Sequence, residues 1–590
     1  MSTARTHYKA IAPPAVNNRP TLAIPTIPDA FELEPPTTRP DEISLTKALQ
    51  IISSPTSPPA LKDLLTAAVA KEITKVTAIY DTLRPISSAN PMEENAIRLS
   101  SLMFIKFKRD QRVTARLAGC GCDQPVDSYD NISASTSDHQ TFALTVAAYY
   151  ADAVHNNTLS SLTHSDFDVP GAFLNCRLPR SATGGRQVVI KMPHNLPHPL
   201  AGKWMEVVGA LYGIKQSNHI FELDFAATMA AANFHPPTMR DLPDSTPLDT
   251  STYHYTNPAD PSKKCTVIMH VDDGDLLATD PTIAANLKST LEARYGPLTW
   301  NDTSSSFTGT HITRHPSGAV SLDLTDHIIK MLHKSGMDNV PGALTPSNPD
   351  LFLPSKDTTP TNKVQYQRIV GDLTHISRVR HDIAKETQHH SRQTQSPTKG
   401  DLFKVIRTLR YLKAFPSTAA TYYTTEGPIL VGHVDASHAN HPDGTSTTGL
   451  TLTIGSTSAP FYSKSFPQDE VALDPCTAEY YGLTPISRLL LRYRYFLDAI
   501  GFPQTAPTPI YVDNLPAIKL ALSSTIPRKS RYIHARHHFI RQCIASNLII
   551  LRQRNTNNHP PDLHTKSLGP TSHHYLTKLI MNTDAPTSCR

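Results

Sequence analysis

The residues best suited to chemistry are acids set at the ends of apolar runs. In His270-Val271-Asp272-Asp273, two adjacent aspartates stand between the apolar runs Cys265–Met269 and Leu276-Leu277-Ala278. Such an arrangement reads as a β-hairpin that carries its carboxylates at the turn. Neighbouring carboxylates repel, and a divalent cation is the commonest relief. Taken alone, the pair is more often a solvated turn. A further carboxylate in a matching context lies about one hundred residues earlier, in Phe167-Asp168-Val169-Pro170-Gly171-Ala172-Phe173-Leu174-Asn175, where the plain alternative is a strand-end turn. Two-metal phosphoryl transfer needs carboxylates from separate strands converging on ions about 3.5–4 Å apart, one ion activating the hydroxyl nucleophile and one steadying the leaving group. Asp168, Asp272 and Asp273 supply such a set.

A second set is Asp435, Glu479, Asp513 and Asp562. Singly, each reads as a helix cap or surface acid. Each nevertheless falls at the edge of one predicted element. Asp435 ends the strand Ile429–Asp435, and Glu479 lies in the first turn of a helix expected over Thr477–Ile500. Asp513 follows the strand Pro509–Val512, and Asp562 precedes a last helical segment. Strands over Gly449–Ile454 and Pro460–Ser463 complete the order three strands, helix, strand, helix. Further on, Arg528, Lys529, Arg531, Arg536, Arg541, Arg552 and Arg554 come without an intervening acid, which reads as a solvated helix face or a phosphate-binding surface. His534, His537 and His538 share helical spacing, but no Cys or Glu stands near to complete a zinc site, so they read as structural or phosphate-facing.

The elements that must hold these acids are spread over 590 residues, enough for several domains. Hydrophobic residues make up 39%, and 50 prolines against 24 glycines predict many rigid turns. The net charge of +5 is low for a protein that coats nucleic acid. Seven scattered cysteines lack zinc-knuckle or ribbon spacing and fit a reduced, intracellular chain. No signal-peptide pattern or membrane-length apolar run is present. Residues 1–59 read as a flexible, proline-rich leader whose one apolar segment lies near Leu45–Ile52. Leu61, Leu64, Leu65, Ala68, Val69, Ile73, Val76 and Ile79 then predict an amphipathic helix ended by Pro85. Strands are expected over Leu102–Phe107, Val113–Leu117, Val188–Met192 and Cys265–Val271, with a helix over Thr141–Val154.

The blocks around Asp168 and Asp272 resemble the reverse transcriptase of copia-type retrotransposons, where Asp-Val-x-x-Ala-Phe-Leu-Asn precedes a Val-Asp-Asp turn. Leu211-Tyr212-Gly213-Ile214-Lys215-Gln216-Ser217, Thr114-Ala115-Arg116-Leu117-Ala118, Val370-Gly371-Asp372-Leu373, Arg380-His381-Asp382-Ile383-Ala384 and Leu409-Arg410-Tyr411-Leu412-Lys413 are similar to further family blocks in the same order. Val434-Asp435-Ala436-Ser437, Ser446-Thr447-Thr448-Gly449, Ser463-Lys464 and Asp562-Leu563-His564-Thr565-Lys566 resemble the family's RNase H segment. The chain departs from the family pattern at His270, where Tyr is usual, and at Asn218-His219, where Pro-Arg is usual.

The resemblance covers roughly residues 60–582. It implies an α+β, multidomain fold, a right-hand polymerase followed by an RNase H-like domain. Fingers and palm would span 60–300, a thumb and connection 301–427 and the RNase H-like domain 428–582, with a tail over 583–590. The implied function is RNA- and DNA-directed DNA synthesis coupled to cleavage of RNA in RNA–DNA hybrids. Asp168, Asp272 and Asp273 would hold one pair of Mg²⁺ or Mn²⁺ ions and Asp435, Glu479, Asp513 and Asp562 another. Arg116, Lys215 and Gln216 would bind the incoming dNTP, and Arg528, Lys529, Arg531, Arg536 and Arg541 the nucleic acid. The implied partners are an RNA template, a DNA primer or product, the RNA–DNA hybrid and dNTPs, with no membrane. The implied location is the cytoplasm, in virus-like particles, with the nucleus as the alternative. The competing reading is a relic of such an element that binds nucleic acid without catalysis.

Overall fold

The computed structural model describes residues 42–107, 112–129, 132–239, 247–555 and 558–586. It is a mixed α/β, multidomain structure with four sheets among those residues. Residues 1–41 of the expected leader and 587–590 of the tail lie outside the described residues. The rest of the leader is folded, contrary to expectation. Glu42–Ser44 pairs antiparallel with Ile97–Phe107. The helix Leu45–Ser53, capped by the Ser44 side chain accepting the Lys47 N–H, buries Leu45 and Ala48. The short apolar segment noted in the sequence thus has a partner, because the adjoining sheet offers an uncovered face.

That first sheet has six strands, built around Ile97–Phe107, whose buried and exposed residues largely alternate as a half-buried strand requires. The helix Pro59–Thr74 covers it with Leu65, Val69 and Ile73. The predicted helix ran on toward Pro85. Instead it widens into a π-helical turn at Lys75–Ile79, and Leu83–Pro85 leaves to pair with Trp204–Val207.

The second sheet runs Thr299–Asn301, Thr163–Asp168, Asp273–Ala278, Asp260–His270, Thr252–Asn257, all antiparallel. One face packs Phe167, Val267, Met269 and Leu276 against the helices Ser217–Ala231 and Pro281–Tyr295. The other face meets His139–His155, which is apolar on almost every side and also contacts the fourth sheet. A third sheet has four strands, Ser306–Phe307, Thr310–Arg314, Val320–Asp323 and Ala420–Tyr422, and the helices Thr325–Lys334, Lys363–Ile376, Ala384–Ser391 and Lys399–Ala414 come between its last two strands in sequence.

The fourth sheet runs Pro460–Pro467, Thr447–Ile454, Leu430–Ser437, Thr508–Val512, Ile549–Gln553, the first three antiparallel and the last two pairings parallel. The long helix Pro475–Ala499 lies across it. Its last strand was not foreseen: Leu548-Ile549-Ile550-Leu551 is continuously apolar, without alternation, and sits inside the basic stretch. No helix among the described residues is long and apolar enough to cross a membrane.

Candidate active sites

The first acid set lies where two strands of the second sheet end together. Asp260–His270 and Asp273–Ala278 form the expected hairpin, with Asp273 opposite His270 on one side and opposite Asp168 on the other. Asp272 occupies the turn, where its carbonyl accepts the Val169 N–H at 3.1 Å. The turn is strained at Val271, a β-branched residue with φ of 64°. Crowding around Asp273, and then the charges of Asp272, Asp168 and Asp166, push its carboxyl up to about 6 although the side chain reaches solvent. A divalent cation would relieve that repulsion.

Two features fix the hairpin's position. Beneath it, buried Asp275 is held by His164 Nε2 at 3.1 Å and by the Ser304 hydroxyl at 2.9 Å. Beside it, Phe167 lies flat under Gly274 and stacks on Trp300 with centroids 5.2 Å apart. A Cβ at Gly274 would come within 2.3 Å of Phe167 Cζ. Gly274→Ala is therefore expected to lose about 1–3 kcal/mol of stability by overpacking. Urea unfolding checks this against Gly371→Ala, a helical position whose added Cβ meets nothing within 4 Å.

The residues expected to bind the dNTP are placed unequally. Arg116 is exposed, with its guanidinium 4.2 Å from the Tyr212 ring centroid. Lys215 donates to the Tyr129 hydroxyl at 2.6 Å. Gln216 is only 2% exposed: its amide donates to the Ser128 and Ala182 carbonyls and its oxygen accepts from Gln124, so it clasps loops instead of lining an open pocket. Sequence reasoning missed Lys75. Its ammonium lies 5.8 and 5.9 Å from the Tyr80 and Tyr212 rings. Burial lowers its proton affinity while Glu72 and Asp168 support its charge. Lys75 opens the π-helical turn, and local spacing carried no sign of it.

The second set converges in the fourth sheet. Ligand oxygens of Asp435, Glu479 and Asp513 all lie within 4.8 Å of one another, the one such trio of His, Cys, Asp or Glu side chains among the described residues. Glu479 Oε1 accepts the Ala436 N–H at 3.0 Å. Glu479 Oε2 is buried without a hydrogen-bond partner, which fits a carboxylate oxygen meant for a cation. Asp562 lies close by, pushed up to about 7 by burial and then by Asp435. Lys566, noticed earlier only as part of a motif, donates to Asp562 Oδ1 at 2.7 Å and to Asp435 Oδ1 at 3.4 Å. The Thr565 hydroxyl donates to the other oxygen of Asp435. Gly449 permits this approach, since a Cβ there would lie 2.7 Å from His564 Cβ and 2.8 Å from Thr565 Cγ2.

Burial, and then Asp435 and Asp513, hold the Glu479 carboxyl well above its ordinary range. The folded chain keeps a proton that the unfolded chain releases at its ordinary value of 4.5. Without divalent cations, this group's contribution to stability therefore falls as pH rises from there toward its raised folded value. Thermal unfolding in chelator should show the parent losing stability relative to Glu479→Gln as pH rises, and Mg²⁺ reversing the loss. Parallel profiles for the two proteins would remove this account.

The basic segment is not one helix face. It forms short turns at Arg528–Ser530 and Ala535–His538 before the helix Phe539–Ala545. Arg528 and Arg531 are exposed, whereas Arg536 bonds Glu470 at 2.7 Å and Arg541 donates to the Ser523 carbonyl. The Lys529 side chain lies outside the described residues. His537 stacks on Tyr481 with centroids 4.0 Å apart, and His538 bonds the Tyr480 hydroxyl at 2.8 Å. These two histidines tie the segment to the long helix.

No family model matches the chain. It is 27% identical over 327 residues to the retrovirus-related Pol polyprotein from transposon RE1 of Arabidopsis thaliana, covering 55% of this chain and 22% of that protein. Against the Pol polyprotein from transposon TNT 1-94 of Nicotiana tabacum it is 28% identical over 316 residues, covering 51% and 23%. The chain is thus similar to the Pol polyproteins of copia-type plant transposons, as its motifs led one to expect, and the match spans about a fifth of those relatives' length. Among solved structures, a foamy viral protease–reverse transcriptase in complex with double-stranded DNA matches at TM-score 0.46 and 12% identity, covering 89% of this chain and 84% of that one.

Proposed function

We propose that the chain is a reverse transcriptase with a coupled RNase H: a right-hand polymerase that copies RNA and DNA templates, and a nuclease that cuts the RNA of the resulting hybrid. The observation that carries this reading is the presence in one chain of two acid sets, each gathered on its own sheet, with Asp273 registered against Asp168 and Asp435 clustered with Glu479 and Asp513. The order of the fourth sheet and the similarity to Pol polyproteins support the nuclease and polymerase assignments together.

Asp168, Asp272 and Asp273 would hold the cations of synthesis, and Asp435, Glu479, Asp513 and Asp562 those of cleavage. When bound, such ions supply charge neutralisation and an activated oxygen nucleophile. The chain's own groups do the rest. Arg116, fixed on Tyr212, offers its guanidinium fork to a triphosphate, and Lys75 adds a second cation near the same ring. At the nuclease site Lys566 keeps positive charge between Asp435 and Asp562, where a phosphodiester must approach three or four acids. Exposed Arg528 and Arg531 are placed to meet a phosphate backbone.

Primer extension on an RNA template and hybrid cleavage, each with Mg²⁺ or Mn²⁺, test the proposal beside Asp272→Asn/Asp273→Asn and Asp435→Asn. A second reading, a hybrid-cleaving nuclease without synthesis, is favoured by the fact that only the nuclease trio closes to within 4.8 Å among the described residues. Cleavage without extension by the parent would select it, and hybrid binding with neither activity would leave the inert relic.

A further inference from the structure

Lys385 lies in the helix Ala384–Ser391, outside the nuclease sheet and its long helix, yet it reaches the nuclease site. It is 3% exposed, and its ammonium donates to the Lys566 carbonyl at 2.7 Å across 181 residues of chain. Its helix packs against the strand Pro460–Pro467 and the turn Asp562–Thr565. The neighbouring carbonyls of that turn are held as well: Ser465 donates to the His564 carbonyl at 2.6 Å, and Asn440 to the Thr565 carbonyl at 3.5 Å. Three successive carbonyls are therefore fixed by donors from three elements. Lys385 alone among these donors is cationic, and it alone comes from outside residues 428–582.

The side chains of the same short stretch face the acids, with Thr565 and Lys566 both bonded to Asp435 and Lys566 also to Asp562. We propose that Lys385 is a positioning residue of the nuclease site, holding the Lys566 main chain so that Asp562, Thr565 and Lys566 keep their places against Asp435. The proposal rests on the nuclease reading above. It implies that the nuclease is not confined to its own sheet and helices, and that a shift of the helix Ala384–Ser391 reaches the cation-binding acids through one hydrogen bond.

Lys385 also pairs with buried Glu386 at 3.2 Å, and Glu386 accepts from Ser347 at 2.5 Å. Removing the lysine alone strands a buried carboxylate and endangers folding. The test therefore compares, in the full chain, Lys385→Met, Lys385→Arg and the double variant Lys385→Met/Glu386→Gln, which leaves no unpaired charge. Hybrid cleavage, primer extension and thermal stability are measured on the same preparations. The double variant is expected to regain the parent's stability and extension. Its cleavage kcat should stay about 10–100-fold down, with KM for the hybrid unchanged and a higher Mn²⁺ concentration needed for half-maximal rate. Lys385→Arg should recover part of the rate. Recovery of cleavage together with stability in the double variant would overturn the proposal, because Lys385 would then serve only Glu386.

Should the folded parent cut no hybrid, the nuclease reading falls, but Lys385 is still decided by Mn²⁺ binding. The free-ion electron paramagnetic resonance signal is followed in the Asp272→Asn/Asp273→Asn background, so that the remaining acid set is titrated. Weaker binding in the double Lys385 variant upholds the positioning role, and unchanged binding overturns it.

Discussion

Replacing Asp272 and Asp273 together by Asn is expected to lower primer extension by more than about 10³-fold, equivalent to about 4 kcal/mol of transition-state stabilisation. Asparagine keeps the shape of each side chain and its capacity to accept one hydrogen bond, so the strand register and the Val169 contact to the Asp272 carbonyl should survive. What disappears is the negative charge that makes the hairpin a cation site. The same charge strains the folded chain, since crowding, Asp272, Asp168 and Asp166 push Asp273 up to about 6. The variant should therefore be no less stable than the parent in chelator, while losing the stabilisation that Mg²⁺ gives the parent at this site. Hybrid cleavage depends on acids in another sheet and should persist. Single-turnover extension with both metals is the measurement. Retained extension in a folded variant would show that these acids do not hold the reacting centre.

This hairpin was legible because the apolar runs on either side of the acids are themselves strand-like, so that only the turn could hold the charges. The long helix over Glu479 was legible for a similar reason: its apolar residues repeat over many turns, and the strands before it alternate with turn residues. Other features depend on contacts that no local pattern encodes. Glu42–Ser53 looked like leader because its apolar positions are few, and their meaning comes from the sheet they cover. Ile549–Gln553 was hidden because its apolar run shows no alternation in sequence, although the folded edge strand buries Ile549 and Leu551 and leaves Ile550 half-buried between them. Gln216 carries a family motif, yet its hydrogen-bonding capacity is taken up by three loop partners that only the fold brings together. Lys566 could be read as motif text, but its bridging of two acids separated by about 130 residues could not.

Asp382→Ala should be the most damaging single change for stability, at about 3–5 kcal/mol. Arg380 and Asp382 have no exposed side-chain surface, and the guanidinium grips the carboxylate through Nε at 2.9 Å and through its terminal nitrogen at 2.8 Å. The Tyr411 hydroxyl donates to the same carboxylate at 2.5 Å, and Arg380 also donates to the Phe415 carbonyl at 2.5 Å. Burial opposes the Asp382 charge, but Arg380 and Tyr411 outweigh it and hold the carboxyl down to about 2. A depressed carboxyl contributes stability above its unfolded value of 3.8 and loses that contribution as pH falls from there toward 2. Removing the carboxylate alone leaves a buried guanidinium without its counter-charge, which is why the effect exceeds the loss of three hydrogen bonds. Arg380→Met/Asp382→Leu removes both charges and should cost much less than Asp382→Ala, as paired replacement of a buried ion pair generally does. Arg380 precedes the turn His381–Ile383 and Asp382 lies within it; the turn leads directly into the helix bearing Lys385, and Tyr411 packs on His573 of the helix Pro570–Met581. Urea unfolding should therefore show Asp382→Ala shifted to lower denaturant. In protein still folded, hybrid cleavage should fall before primer extension does, because the helix that positions Lys385 starts from this turn. Equal loss of both activities at every denaturant concentration would separate the turn from the nuclease site and leave the ion pair a purely structural element.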